Sequence, residues 1–371
     1  MKKIKLFVDG HWFDEPYQST GVFLKGLYNE LIDDDRFEIY FAAANIEQLK
    51  TAFNNSDKIK YLPFKSHSKY YRLAIDAPHL IERYKIDISH FQYTTPLVKK
   101  SREIVTIHDL LFKEFKDLFP WSYRITKDFL FKRSAKRSDL ITTVSKYSAD
   151  SIIKHYKISP QKIKVIPNGI SSDFFVDYDE NDLPDVTKKY NLNKYILGIN
   201  RIEPRKNHIS LLKSYVELAL WKKDIKLVLI GRQDIKVPEL ESYLNHLPAH
   251  VQKNILWLRN VNFTELLSFY KNASLFVYPS IAEGFGIPPL EAAALKTKTL
   301  CSNATAMADF SFFGNDLFDP TNIKELSHKI LTKLEENNIT RRNEIAHIIR
   351  DNYKWENIAS DFASTVYALF K

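Results

Sequence analysis

Along nearly all of the 371-residue chain, short runs of β-branched and aromatic residues alternate with longer stretches of helical periodicity. That alternation permits few folds, because strand, helix and strand in succession close into a parallel sheet with helices on its faces. The first series reads as strands at IKLFVD (4–9), FEIYFAA (37–43), IDISHF (86–91), EIVTIH (103–108), DLITTV (139–144) and KIKVIP (162–167). The segment SSDFFVDYDENDLPDVTKKYNLN (171–193) is acidic, turn-rich and without apolar periodicity, and reads as a connection. A second series follows with YILGIN (195–200), IKLVLIG (225–231), ILWL (255–258), ASLFVYPS (273–280) and TLCS (299–302). The fold class expected is α/β, with two open domains over 1–178 and 194–354, a linker over 179–193 and a closing helix over 355–371.

Composition narrows the partners. At 44% hydrophobic and 27% charged, the chain reads as globular, and no run approaches the length of a membrane span. The opening MKKIKLFVDGHWFDE turns acidic after a short apolar run, unlike a signal peptide, so a cytoplasmic location is expected. Cys301 is the only cysteine, which removes intrachain disulfides and cysteine zinc clusters. A net charge of +9 implies an anionic partner: a nucleotide, a phospholipid surface or a nucleic acid. The aromatic residues fall at strand and helix-core spacings without forming a basic-aromatic platform, so nucleic acid is not the partner expected.

In open α/β domains, ligands collect at the carboxyl ends of the strands. The candidate residues fall there. AEGFGIPPLEAAA (282–294) places Glu283 just after a strand and Glu291 eight positions later, in the early turns of a helix. Gly284 and Gly286, with Phe285 between them and Ile287 following, allow the tight turn, and the helix opens on proline. Two such carboxylates can accept hydrogen bonds from two parts of one extended ligand bearing vicinal hydroxyls. VTIHDLLF (105–112) ends another apolar strand on His108 and Asp109, and strand-end histidines in α/β domains often face a ligand.

EGFGIPPLE resembles the E-x(7)-E motif of the retaining GT-B glycosyltransferases of family four, the glycosyl transferases group 1, and the likeness extends over almost the whole sequence. The resemblance implies two Rossmann-like domains facing each other across a cleft, with the last helix crossing back to the first domain. It implies that Glu283 faces the donor sugar and that Glu291 binds the nucleotide ribose, the Gly284 to Ile287 turn lying along the donor. GINRIEPRKNH (198–208) is similar to the family's R-x(4)-K diphosphate clamp, with Arg201 and Lys206 at the matching positions. Arg205 and His208 neighbour them, and a solvated face explains those two at least as well as a place in the clamp. The His108 and Asp109 pair matches one that lines the donor-sugar and acceptor side, and Gly21, in EPYQSTGVFLKGLYNEL (15–31), matches a glycine near the diphosphate, with a helix start capped by Thr20 as the competing reading. The chain departs from the pattern at Lys296 and Lys298, where relatives have Gly and Pro, and at Ala308 and Asp309, where Pro-Glu is frequent.

What the resemblance implies is retaining sugar transfer from a nucleotide-diphosphate donor, with no cofactor beyond that donor and no metal. GDP-mannose is the first donor to test, because the HDL and EGFGIPPLEA combination looks most like the mannosyltransferase-like branch. The acceptor implied is a glycan or lipid-linked oligosaccharide in bacterial surface polysaccharide or lipopolysaccharide biosynthesis. The stretch 110–139 carries eight Lys or Arg against four Asp or Glu, interleaved with aromatics, and suits a peripheral position on an anionic membrane. Its competing reading is an ordinary solvated helix with aromatics in the core. Two other functions stay open: a GT-B nucleotide-sugar 2-epimerase, separable by product analysis, and a non-catalytic nucleic-acid-binding protein, separable by thermal shift.

Overall fold

The computed structural model describes residues 2–14, 19–179, 181–233 and 235–371. The chain divides into two compact units, Met1–Gly169 with Tyr353–Lys371, and Ile170–Asn352. The first holds a seven-stranded sheet of β1 (Ile4–Asp9), β2 (Phe37–Ala43), β3 (Ile59–Pro63), β4 (Ile88–Gln92), β5 (Arg102–Thr106), β6 (Leu140–Thr143) and β7 (Ile163–Val165), in the order β3-β2-β1-β4-β5-β6-β7. The second holds six strands, β8 (Lys194–Ile199), β9 (Ile225–Ile230), β10 (Ile255–Leu258), β11 (Leu275–Tyr278), β12 (Thr299–Ser302) and β13 (Leu317–Phe318), in the order β10-β9-β8-β11-β12-β13. Every pairing is parallel. Helices therefore cover both faces, and central strands such as LFV (6–8) and LVLI (227–230) read as continuous apolar runs.

Two strands escaped the sequence reading, β3 and β13. IKYLP lies at a sheet edge, is buried only at Ile59 and Leu62 and ends in proline, so it shows no continuous apolar run. LF is too short to have a period. The structure also divides the chain differently from the expected 178/194 boundaries, because residues 170–193 belong to the second unit. Phe174 is buried edge-on to Tyr270, Ser268 Oγ donates to the Pro184 carbonyl at 2.6 Å, and Lys271 Nζ donates to the Tyr178 carbonyl. Isolated apolar residues anchor this stretch, which periodicity does not reveal.

Each sheet reverses its strand order once, between β1 and β4 and between β8 and β11. Connections leave such a pair of strands in opposite directions, which opens a crevice at their carboxyl ends. The core of the second unit packs Ile196, Leu227, Leu229, Leu275 and Val277 of the sheet against Leu211, Leu212 and Tyr215 of the helix His208–Glu217.

The helix Trp355–Phe370 belongs to the first unit, with Trp355 set against Phe23 and Phe362 against Tyr28. Gly26 and Gly169 make room for the indole: a Cβ would stand 2.0 Å from its atoms at Gly26 and 2.5 Å at Gly169. Gly26 lies inside the helix Ser19–Leu31, where alanine normally stabilises by about 0.5–1 kcal/mol. Here Gly26→Ala is expected to destabilise the first unit by about 1–3 kcal/mol through overpacking. Denaturant unfolding checks the sign, and adding Trp355→Ala to Gly26→Ala should cost less than the sum of the two single changes.

Candidate active site

The switch point of the second unit is closed by two loops. After β8 the chain passes Arg201, makes a short turn over Pro204–Lys206, and enters the helix His208–Glu217 through Asn207, which adopts a left-handed φ of 53°. After β11 it runs through Ser280 and Glu283 to the helix Ile287–Ala294. The loops bind each other through the Ile281 N–H, which donates to the Arg205 carbonyl at 2.8 Å.

Glu283 is buried where the loops meet. Its carboxylate accepts from Lys206 Nζ at 2.5 Å, Arg205 Nη1 at 2.9 Å, the Tyr278 hydroxyl at 2.8 Å and the Ser280 hydroxyl at 2.7 Å. Burial alone raises a carboxyl pKa, yet the charges of Lys206 and Arg205 and the hydrogen bonds hold Glu283 at about 2. Lys206 is itself buried, and desolvation outweighs the attraction of Glu283 to lower its pKa. The Glu283 N–H donates to Thr305 Oγ1 at 2.9 Å, and Thr305 holds a φ of 54°, a region that β-branched residues rarely enter. Gly286 has a φ of 103° at the helix start, and a Cβ there would meet Met307 at 3.1 Å. Phe285 is buried edge-on to Phe310, 5.5 Å between ring centroids. Because Pro288 and Pro289 carry no N–H, Gly286 and Ile287 supply the amide donors that open this helix.

Glu291 is half-buried within that helix and accepts from the Tyr270 hydroxyl at 2.7 Å. Burial raises its carboxyl to about 7 against the pull of that hydrogen bond. Tyr270 is fixed by the helix Phe263–Asn272, whose start is closed by reciprocal hydrogen bonds between Asn262 and Glu265.

In the first unit, β5 leads to His108 and Asp109. His108 Nε2 lies 2.8 Å from Gln92 Oε1, and Gln92 Nε2 lies 3.1 Å from His90 Nε2, a chain consistent with a proton on Nε2 of His108. Burial pushes His108 down to about 3, so it serves as a neutral hydrogen-bonding group at ordinary pH. Asp109 Oδ1 accepts the Leu111 N–H at 3.0 Å. Gly21 is buried in the first turn of the helix Ser19–Leu31, which also contains Thr20; residues 15–18 of that loop lie outside the described residues. At the end of β1, buried Asp9 lies 3.0 Å from His11 Nδ1 and 3.3 Å from Arg72 Nε, and despite burial these charges hold its carboxyl at about 2.

The structure thus joins Lys206 to Glu283 directly and leaves Arg201 exposed two residues beyond β8. Of the two sequence readings of Arg205 and His208, the solvated face is excluded: Arg205 bridges Glu203, the Ala282 carbonyl and Glu283, and His208 is buried. Sequence reasoning also missed Tyr278 and Ser280, although two hydroxyls ending the apolar run SLFVYPS were a visible signal. Lys296, in the place of the expected glycine, adopts a φ of 63° and pairs with Asp177 at 2.5 Å. Replacing Lys206 by alanine leaves the buried Glu283 short of a partner and should cost the second unit about 3–5 kcal/mol, less when Glu283→Gln is added. Glu283 ionises with its carboxyl held below the ordinary 4.5, so its contribution is full above that value and is lost as pH falls toward about 2. Unfolding of the single and double variants across that range checks both statements.

The model described as "Glycosyltransferase Family 4" matches residues 23–174, and the model described as "Glycosyl transferases group 1" matches residues 179–352. The O-antigen chain mannosyltransferase RfbU of Salmonella typhimurium is 31% identical over 57% of this chain and 54% of its own length. The serotype-specific mannosyltransferase WbdA of Escherichia coli is 24% identical over 91% of this chain and 42% of its own length, and O-antigen chain mannosyltransferase B of the same organism is 26% identical over 81% and 82%. The chain thus spans about half, or less, of RfbU and WbdA. Among solved structures, a glycosyltransferase from Rickettsia africae superposes with a TM-score of 0.75 at 16% identity over the full length of both chains, and WaaG, a glycosyltransferase involved in lipopolysaccharide biosynthesis, with 0.69 at 15% over 97% of this chain and 99% of that one. With two parallel-sheet units, paired switch-point loops and family models matching both halves, the chain belongs to the family-four, group 1 glycosyltransferases and has their GT-B fold.

Proposed function

We propose that this protein is a retaining glycosyltransferase that moves a sugar, with GDP-mannose as the leading donor, onto a glycan or lipid-linked oligosaccharide in bacterial surface polysaccharide or lipopolysaccharide assembly. The observation that carries the reading is the buried meeting of Lys206 and Arg205 with Glu283 at the carboxyl ends of β8 and β11. The mannosyltransferase names of RfbU and WbdA support the donor, and their O-antigen and serotype roles support the setting.

In this reading the donor diphosphate binds beside Arg201, Arg205 and Lys206, and its growing charge on leaving is met by cations already in place. The Gly286 and Ile287 amides add donors. Glu283 accepts from the sugar hydroxyls. A carboxylate held at about 2 by four donors is a poor nucleophile, which supports front-face retention, with the leaving phosphate oxygen taking the acceptor proton. The first unit receives the acceptor, and neutral His108 orients a hydroxyl. Lys69, drawn down to about 8 by burial and by Lys127 and Arg72, adds cationic character suited to an anionic acceptor.

Among the described residues, no helix is long and apolar enough to cross a membrane. Peripheral contact through the helix Trp121–Arg137 is the proposal for this region. Phe112 and Phe131 are core residues, whereas Trp121 and Phe129 are 69% exposed and Ile125 53% exposed, at intervals of four residues. Lys132 and Lys136 continue that exposed face. Arg133 and Arg137 instead donate to the carbonyls of 95–97 and are part of the unit's own structure. An anionic bilayer matches an apolar stripe continued by lysines.

Four measurements test these statements. Arg201→Ala or Lys206→Ala should cut turnover at least about 10²-fold in protein verified as folded, and near-normal rates in both remove the clamp. A donor-hydrolysis screen should favour GDP-mannose over UDP- and dTDP-sugars, with EDTA leaving the rate unchanged; preferential UDP-sugar turnover removes the donor assignment. Nucleotide affinity should rise as pH passes upward through about 7, because ribose hydroxyls donate to ionised Glu291, and should be flat in Glu291→Gln. Flotation with phosphatidylglycerol vesicles should exceed that with phosphatidylcholine and fall about fivefold for each of Lys132→Ala and Lys136→Ala.

A further inference from the structure

The second unit contains a cavity of about 510 Å³ away from the loops described above. Lys194 and Ile225 open β8 and β9, Ser274 precedes β11 and Lys298 precedes β12, so the cavity lies at the amino ends of the strands whose carboxyl ends carry Lys206 and Glu283. A strand of four to six residues separates the two ends by roughly 13–20 Å. This volume falls within the range of small-molecule sites.

Its lining has two characters. Leu220, Leu331 and Leu334 form an apolar wall continuous with the core, while Lys194, Lys223, Lys298, Arg342 and one carboxylate, Glu335, also line the cavity, and the neighbouring Glu336 acts on Lys298. Lys298 Nζ donates to the Leu334 carbonyl at 3.0 Å, which leaves further N–H bonds, and Arg342 Nη1 donates to the Lys296 carbonyl at 3.2 Å. Arg342 Nε is buried with no hydrogen-bond partner. A buried guanidinium N–H left unmade is costly, and holding it beside a second half-buried cation adds repulsion. Proximity to Arg342 contributes, after burial, to lowering the Lys298 pKa. An anion with several acceptor oxygens, resting on Lys298 Nζ and the outer guanidinium of Arg342, relieves the repulsion between the two cations.

We propose that this cavity is a second binding site, for a small organic phosphate whose apolar body lies on the leucine wall and whose phosphate is held by Lys298 and Arg342, with Lys194 and Lys223 at the mouth. The site is separate from the donor site, and nothing in its assignment depends on the identity of the donor.

Phenyl phosphate serves as the probe and inorganic phosphate as the comparison, each titrated by calorimetry into the full chain. Phenyl phosphate should bind at least about tenfold more tightly than inorganic phosphate, and Arg342→Gln and Lys298→Met should each weaken it about tenfold. Lys194→Glu and Lys223→Glu alter exposed side chains that the fold does not require, and should weaken binding together even if the first two variants fold poorly. Binding should persist in Arg201→Ala, which touches the donor site alone. Loss of binding in Arg201→Ala, equal affinity for the two probes, or full affinity in the Lys194→Glu, Lys223→Glu double variant overturns the proposal.

Discussion

The buried charge of Glu283 is the constraint on which the switch-point end of the second unit depends. A carboxylate removed from water costs several kcal/mol unless cations and hydrogen bonds replace its hydration. Lys206, Arg205, Tyr278 and Ser280 provide that replacement, and they come from two loops separated by more than seventy residues of chain. The loops meet because β8 and β11 are adjacent at the point where strand order reverses. Sheet topology, loop path and site electrostatics are therefore one arrangement. Thr305 in its unfavoured φ and Gly286 beside Met307 are local costs accepted to keep Glu283 in position.

The pair also supplies the site's charge balance from within the protein. Burial disfavours the charge of both: desolvation lowers the Lys206 pKa, which Glu283 opposes, and desolvation would raise that of Glu283, which Lys206 and Arg205 oppose. Each holds the other ionised. In the proposed function, an arriving diphosphate would meet cations already oriented, and the lysine would have only to redistribute hydrogen bonds between carboxylate and phosphate. Glu291 is the contrasting carboxylate, held by one hydroxyl and raised to about 7, and it gains from any ligand that adds donors.

Much of this was legible in the sequence, for physical reasons that differ by element. Buried parallel strands must be apolar on both faces, so the runs around Val8, Leu229 and Val277 are visible by composition alone. Edge strand β3, half-exposed, and the two-residue β13 lack that signature. Glu283, Lys206 and Glu291 could be found because their spacing along the chain matches the motifs that the sequence resembles. Arg205 could not be told from a surface arginine, because what distinguishes it is the Ala282 carbonyl and the Glu283 carboxylate brought to it by β11. In the helix Trp121–Arg137 the sequence shows a mixture of cations and aromatics, but only tertiary contacts separate Phe131 from Phe129 and Arg133 from Lys132.

The most direct test of the donor site is a crystal structure with GDP bound. The expected result is a β-phosphate within hydrogen-bonding distance of Lys206 Nζ, ribose hydroxyls on Glu291, and Glu283 still held by Tyr278 and Ser280. A nucleotide bound elsewhere on the second unit, with the contacts of Lys206 and Glu291 unchanged, contradicts it.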